Sequence, residues 1–136
     1  MTDARVEMVS ADAATARVFL DRAEGFLSDA AGGGMTASGR QILLWQACMS
    51  AMEAVLLAAG RRVTGGDGSH VLRLEETQRR MGTEHLDLFE RLDTHRELRH
   101  EASYPLGVVS ENETETTRQD AERLLEAARH FVEEGL

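Results

Sequence analysis

Three observations predict an all-α fold for this chain: a single proline in 136 residues, apolar positions that recur every three or four residues over most of the length, and glycine-rich breaks between those stretches. One proline leaves long helices uninterrupted. The spacing is that of amphipathic helices, where a half-buried strand would alternate every second residue. A chain of this length is one domain's worth, enough for a single core. No linker or internal repeat divides it, so residues 1–136 read as a single domain with an ordered core over about residues 10–134. The expected architecture is an up-and-down bundle of four long helices plus one short one.

The first helix is expected from Ser10 to about Ala31, where Ala16, Phe19, Ala23, Phe26, Leu27 and Ala30 make one face and Gly32-Gly33-Gly34 ends it. The second starts near Thr36 or Ser38 and runs to Gly60, a residue suited to the position just past a helix end. From Ile42 to Ala59 it is apolar at all but three of eighteen positions, which calls for burial on most sides. A membrane span is rejected: Gln46, Ser50 and Glu53 interrupt the run, alanine supplies much of it, and no basic cluster or aromatic belt flanks it. Residues 61–69 read as a glycine-rich loop with no strand pattern before it. Ser69 is placed to cap a short helix carrying Val71, Leu72, Leu74 and Met81. Gly82-Thr83 then recaps a fourth helix from Glu84 to near Ser103, stopped by Tyr104-Pro105. The fifth begins near Asn112 or Thr114, with Ala121, Leu124, Leu125, Ala128, Phe131 and Val132 on its buried face.

Composition narrows the chemistry. All fifteen basic residues are arginine, which excludes a phosphate-loop lysine, a Schiff-base lysine and a Ser/Lys pair. The lone Cys48 forms no internal disulfide, and the N-terminus pairs no basic region with an apolar run, so a cytoplasmic protein is expected. No two histidines stand at i, i+3 or i+4, so a histidine-built metal site is not expected, and no cofactor is expected either. The formal charge of −9 argues against an extended nucleic-acid surface. That charge is unevenly spread: residues 1–39 hold three arginines against six acids, 40–100 nine against nine, and 101–136 three against nine. Anion binding, where it occurs, belongs to the middle stretch, which also holds His70, His85, His95 and His100.

The fourth helix carries the informative anomaly. At about 100° per residue with Leu88 at zero, Leu92 falls at about 40°, His95 at about 340°, Arg96 at about 80° and Arg99 at about 20°. The apolar stripe therefore runs directly into Arg99, flanked by His95 and Arg96. A cation on a core-facing stripe needs a partner or a cleft. On the second helix Gln46, Ser50 and Glu53 fall within about 60° of one another, a narrow polar stripe able to meet such a cation. Two readings follow: a Glu53–arginine pair that fixes packing, or a polar cleft in which arginines hold an anion.

The stretch Arg96-Glu97-Leu98-Arg99-His100-Glu101-Ala102-Ser103-Tyr104-Pro105 resembles the signature of the HEPN superfamily, in which an arginine, a polar residue and, after three variable residues, a histidine lie near the end of a late helix. Arg99 and His100 match its first two positions, and Tyr104 stands where the histidine is expected. The chain is similar to an arginine-polar-x-Ala-polar-Tyr version found in small stand-alone prokaryotic members. The resemblance spans roughly residues 10 to 134, taking in Ala58-Ala59-Gly60, Ser69-His70 and Phe131-Val132-Glu133-Glu134 in family order. It implies a homodimer whose motif helices line a shared cleft, RNA or nucleotide phosphate as ligand, and a nucleotidyltransferase antitoxin as partner of a toxin-like or defence protein. It implies a metal-independent endoribonuclease with a degenerate motif, in which Arg99, His100 and Tyr104 are the candidate catalytic residues. Arg96, His95, Glu53 and Gln46 are the candidate ligand-binding residues. The competing expectation is a non-catalytic helical interaction protein whose Arg/Glu contacts are structural.

Overall fold

The computed structural model describes residues 3–102 and 108–134. They are mostly helical: α1 (Ala13–Ala31), α2 (Ala37–Ala58), α3 (Ser69–Met81), α4 (Leu86–Ala102) and α5 (Glu111–Glu133). Two short strands, β1 (Arg5–Met8) and β2 (Arg61–Thr64), and a 3₁₀ turn over Thr83–His85 complete the order.

Every other helix packs on α2, most extensively α1 and α5. That is the outcome its all-round apolarity requires. Trp45, Cys48, Ala51, Met52 and Val55 of α2 meet Ala16, Leu20 and Ala23 of α1, Leu88, Phe89 and Leu92 of α4, and Leu124, Leu125, Ala128 and Val132 of α5 in one core. Fully buried alanines at 16, 23, 51, 54 and 128 leave little between backbones, so the large residues fill the gaps between helices instead of forcing the helices apart. By length and composition α2 is the one helix among the described residues able to cross a membrane, and 67% of its most apolar window is buried inside the protein.

Local chemistry sets the helix ends. The Asp12 carboxylate caps α1 by accepting from Thr15 N at 3.0 Å, and Thr36 caps α2 by accepting from Gly39 N at 3.0 Å. Ser110 and Glu113 form a reciprocal capping box at the start of α5, which places that start at Glu111, slightly before the expected Asn112. The cap of α3 differs from expectation. Gly68, at φ 77°, occupies the cap position, and Ser69 is the first helical residue with no side-chain cap bond. A left-handed backbone there suits glycine, and the chain turns on conformation instead of a hydroxyl.

The two strands correct the reading of residues 61–69 as loop alone. β1 pairs antiparallel with β2 in the register Arg5↔Thr64, Val6↔Val63, Glu7↔Arg62 and Met8↔Arg61. Glu7 accepts from Arg62 and from Thr64, both at 3.2 Å, across the pair. Gly60, at φ 72°, makes the approach possible: a Cβ there would lie 2.8 Å from the Val9 carbonyl oxygen. Glu76 of α3 anchors β2 from below. It is 3% exposed and gathers Arg79 at 2.6 Å, Arg80 at 3.2 Å and Arg61 of β2 at 4.0 Å.

Cys48 reports on the core. Burial, and secondarily the Asp120 carboxylate, push its thiol up to about 12. Since the thiolate is the reactive form, iodoacetamide is expected to leave Cys48 unmodified in the folded protein and to label it once guanidinium unfolds the chain. Labelling of the native protein at the rate of a free thiol would contradict the packing described here.

Candidate functional site

Two polar assemblies are built on α4, one on each side of its apolar stripe. The first is buried. Asp120 of α5, 3% exposed, accepts three hydrogen bonds from Arg91 Nε and Nη2 at 2.9–3.1 Å and lies 2.8 Å from His95 Nε2. His95 Nδ1 is 2.9 Å from the Thr117 hydroxyl, which also reaches the Glu113 carbonyl at 3.1 Å. Burial alone would raise the Asp120 carboxyl; the hydrogen bonds from Arg91 and His95 outweigh it and hold it below the usual carboxylate range. The network ties α4 to α5, and Gln41 Nε2 adds a long contact from α2 to the His95 carbonyl at 3.4 Å.

The second assembly lies where α3 and α4 meet over α2. His70, in the first turn of α3, stands with its ring 6.5 Å from the Trp45 ring at a tilt of 48°. Arg73, three residues on and so on the same helix face, donates to Glu53 at 2.6 Å and touches the Met49 sulfur at 4.0 Å. Arg96 and Arg99 of α4 come close enough for their charges to bear on His70. Partial burial, followed by the charges of Arg73, Arg99 and Arg96, pushes the His70 imidazole below its usual range. The charges of three guanidiniums thus bear on one exposed imidazole, with Glu53 on Arg73 and with Asp93 and Glu97 on Arg96 offsetting two of them. Such a patch suits a compact anion better than a long polyanion.

The residues singled out from the sequence divide between these assemblies. Arg99 and Arg96 bear on His70 through their charges, and Arg96 pairs on its own helix with Asp93 at 3.0 Å and Glu97 at 3.8 Å. Glu53 meets an arginine, as one reading required, but the arginine is Arg73 of α3 and not one from α4. Gln46 is half-buried on α2. His100 is exposed near the end of α4, and Tyr104 lies outside the described residues. His95, expected beside a ligand, sits instead in the core at 3% exposure, held by Asp120 and Thr117. The reason is geometric: its place on the α4 stripe faces α5, whose own stripe turns polar there.

Asp120 and Thr117 were readable and missed. Relative to Leu124 they fall at about −40° and about 20° on the α5 wheel, inside the apolar face. A carboxylate and a hydroxyl on one stripe facing a histidine and an arginine on another are a signal. His70 and Arg73 had only the i, i+3 spacing to mark them, and nothing local says that α3 would deliver them to Arg96 and Arg99.

Among the described residues no group of three His, Cys, Asp or Glu side chains converges as a metal site would need. An open groove of about 830 Å³ runs between the start of α4 and the end of α5, floored by Leu88, Ala127 and Phe131; neither His70 nor Arg99 lines it. Comparison with known proteins gives no match to a family model, a curated protein or a solved structure.

Proposed function

We propose that this chain is a HEPN-like module, a dimeric helical bundle that binds the phosphate of RNA or of a nucleotide at the patch formed by His70, Arg73, Arg96 and Arg99. In this reading it is the toxin-like half of a cytoplasmic two-gene system with a nucleotidyltransferase antitoxin, and it cleaves RNA without a metal. The observation that supports the reading is the family-like signature at the end of α4, whose Arg96 and Arg99 lie near enough to the exposed His70 of α3 for their charges to bear on it. Guanidiniums bind phosphate oxygens in paired hydrogen bonds and retain their charge at any physiological pH.

The test is thermal. A ligand that binds only the folded state raises its melting temperature, so orthophosphate, AMP and a short RNA are each to be titrated against wild type and Arg99→Ala. Stabilisation of wild type that is lost in the variant is the expected result. Equal shifts in both proteins would favour the second reading, a non-catalytic interaction protein with structural arginines. The Arg73–Glu53 pair, both partners largely buried, is the observation that speaks for it.

A further inference from the structure

The groove between the start of α4 and the end of α5 belongs to neither polar assembly. Arg91 and His95 of α4 are tied to Asp120 and Thr117 of α5, and from there toward Leu88 and Phe131 the space between the helices stays open as a trough of about 830 Å³. Met81, Leu88, Ala127 and Phe131 supply its apolar floor. Ala127 and Phe131, one turn apart on α5, pack on the core from one side and remain partly exposed on the other.

The rim has a different chemistry. Glu84 and Asp87 stand on the α4 side, Glu126 and Glu134 on the α5 side, and all four are exposed. Two arginines line the same groove, but Arg91 is spent on Asp120, which leaves Arg123 against four carboxylates. His85 and His130 lie against two of these, Glu84 at 3.4 Å and Glu134 at 3.1 Å. With the histidines counted as neutral, an apolar floor is framed by an excess of negative charge.

We infer that this groove docks a basic amphipathic helix of a partner protein, its apolar stripe on Leu88, Ala127 and Phe131 and its arginines or lysines over the carboxylate rim. Charge sets the sign of the partner, because complementary potentials steer encounter and fix register. The walls set its conformation. Both are helices, whose N–H and C=O groups are satisfied internally, so an extended segment laid on the apolar floor would find no ladder to join and would bury unpaired backbone groups. A helix brings its own bonds. The length agrees: Arg123 to Glu134 spans about 16 Å of α5 at 1.5 Å per residue, about three turns of a docked helix. A small molecule fits less well, since a trough open along its length leaves much of such a ligand in water, whereas ligand pockets enclose most of it. This site is independent of the phosphate reading, because the same rim would repel a phosphate.

The experiment uses the full chain and a fluorescein-labelled synthetic peptide of about 16 residues with leucines spaced three and four apart and lysines elsewhere, followed by fluorescence anisotropy. Two further peptides serve as comparisons, one with glutamate in place of every lysine and one with the basic composition reordered to remove the apolar stripe. Wild type should bind the first more tightly than either of the others. Glu126→Arg reverses one exposed rim charge and should weaken that binding about 3- to 10-fold. Ala127→Gln fills the floor without changing charge and should weaken it about tenfold or more. Asp21→Arg, which reverses an exposed acid of α1 outside the groove, should leave it unchanged. Melting curves confirm that each variant is folded, and Glu126→Arg, at an exposed position, decides the matter if Ala127→Gln is not. If wild type ignores the basic peptide, or prefers the acidic one, the groove does not take a basic helix. If the reordered peptide binds as well, or Asp21→Arg weakens binding as much as Glu126→Arg, the attraction is that of an acidic protein for any polycation and the docking site falls. Sedimentation velocity of wild type and Ala127→Gln without peptide tests the other occupant: a wild-type dimer that the floor substitution dissociates would mean that a second copy fills the groove, which overturns the proposal.

Discussion

Asp120→Ala is expected to destabilise the protein by about 1–3 kcal/mol, the cost of leaving a buried hydrogen-bonding group without its partner. Its carboxylate is the single acceptor shared by Arg91 and His95. Without it, a histidine at 3% exposure loses the partner of one ring nitrogen. Asp120→Asn retains the shape and one accepting oxygen, and so should lose less. The two substitutions also differ in pH dependence. The carboxyl is held below its ordinary value in the folded protein, while in the unfolded chain it titrates at about 4. Its contribution is therefore fully present above that unfolded value and is lost as pH falls through the lower, folded one. Urea midpoints measured at about pH 7 and then toward pH 3 should fall more steeply for wild type than for Asp120→Asn. Parallel slopes, or a loss below about 1 kcal/mol for Asp120→Ala, would mean that the network contributes no more than a surface contact does.

The same residue marks where sequence reading succeeds and fails. Periodicity located α1, α2 and α5 because each has a face that must be buried, and burial is written into residue type at fixed spacing. The β1–β2 pair has no such record. Each strand is four residues long, and the pairing joins Val6 to Val63 across a separation no local pattern spans. The capping of α3 by Gly68 is a backbone matter that Ser69, a good capping residue in isolation, obscured. The α4 stripe shows a polar intrusion, but the partners of its histidine lie on α5, which the stripe alone does not reveal. His95 meets Asp120 and Thr117 of α5, and the arginine beside it there is Arg91, which the stripe did not single out. Arg96 and Arg99 could be named from the signature, whereas their companions His70 and Arg73 depend on how α3 is laid over α2, which is a property of the fold.

Trp45 belongs to the single core, and Trp45→Ala is expected to lower stability by about 3–5 kcal/mol, as large aromatic truncations in a close-packed core do. The indole is 1% exposed, one helical turn before Cys48 and Met49, with its ring 6.5 Å from that of His70. Its Nε1 has no hydrogen-bond partner among the described residues, so the side chain is held for its volume and flatness and not for its polar atom. That distinction is testable. Trp45→Phe keeps a ring in the position that faces His70 and removes a buried N–H whose lack of an acceptor itself costs about 1–3 kcal/mol. The lost volume and the relieved polar atom oppose each other, so the phenylalanine variant should fall within about 1–2 kcal/mol of wild type. A loss as large as that of the alanine variant would show that the indole nitrogen has a partner in the folded protein. The phosphate-dependent rise in melting temperature then distinguishes platform from filler. If the ring only fills space, both variants should respond to orthophosphate as wild type does at temperatures where they are folded. If the ring positions His70 among Arg73, Arg96 and Arg99, Trp45→Phe should retain the response and Trp45→Ala should lose most of it, because the imidazole then swings free of the charges that make the site.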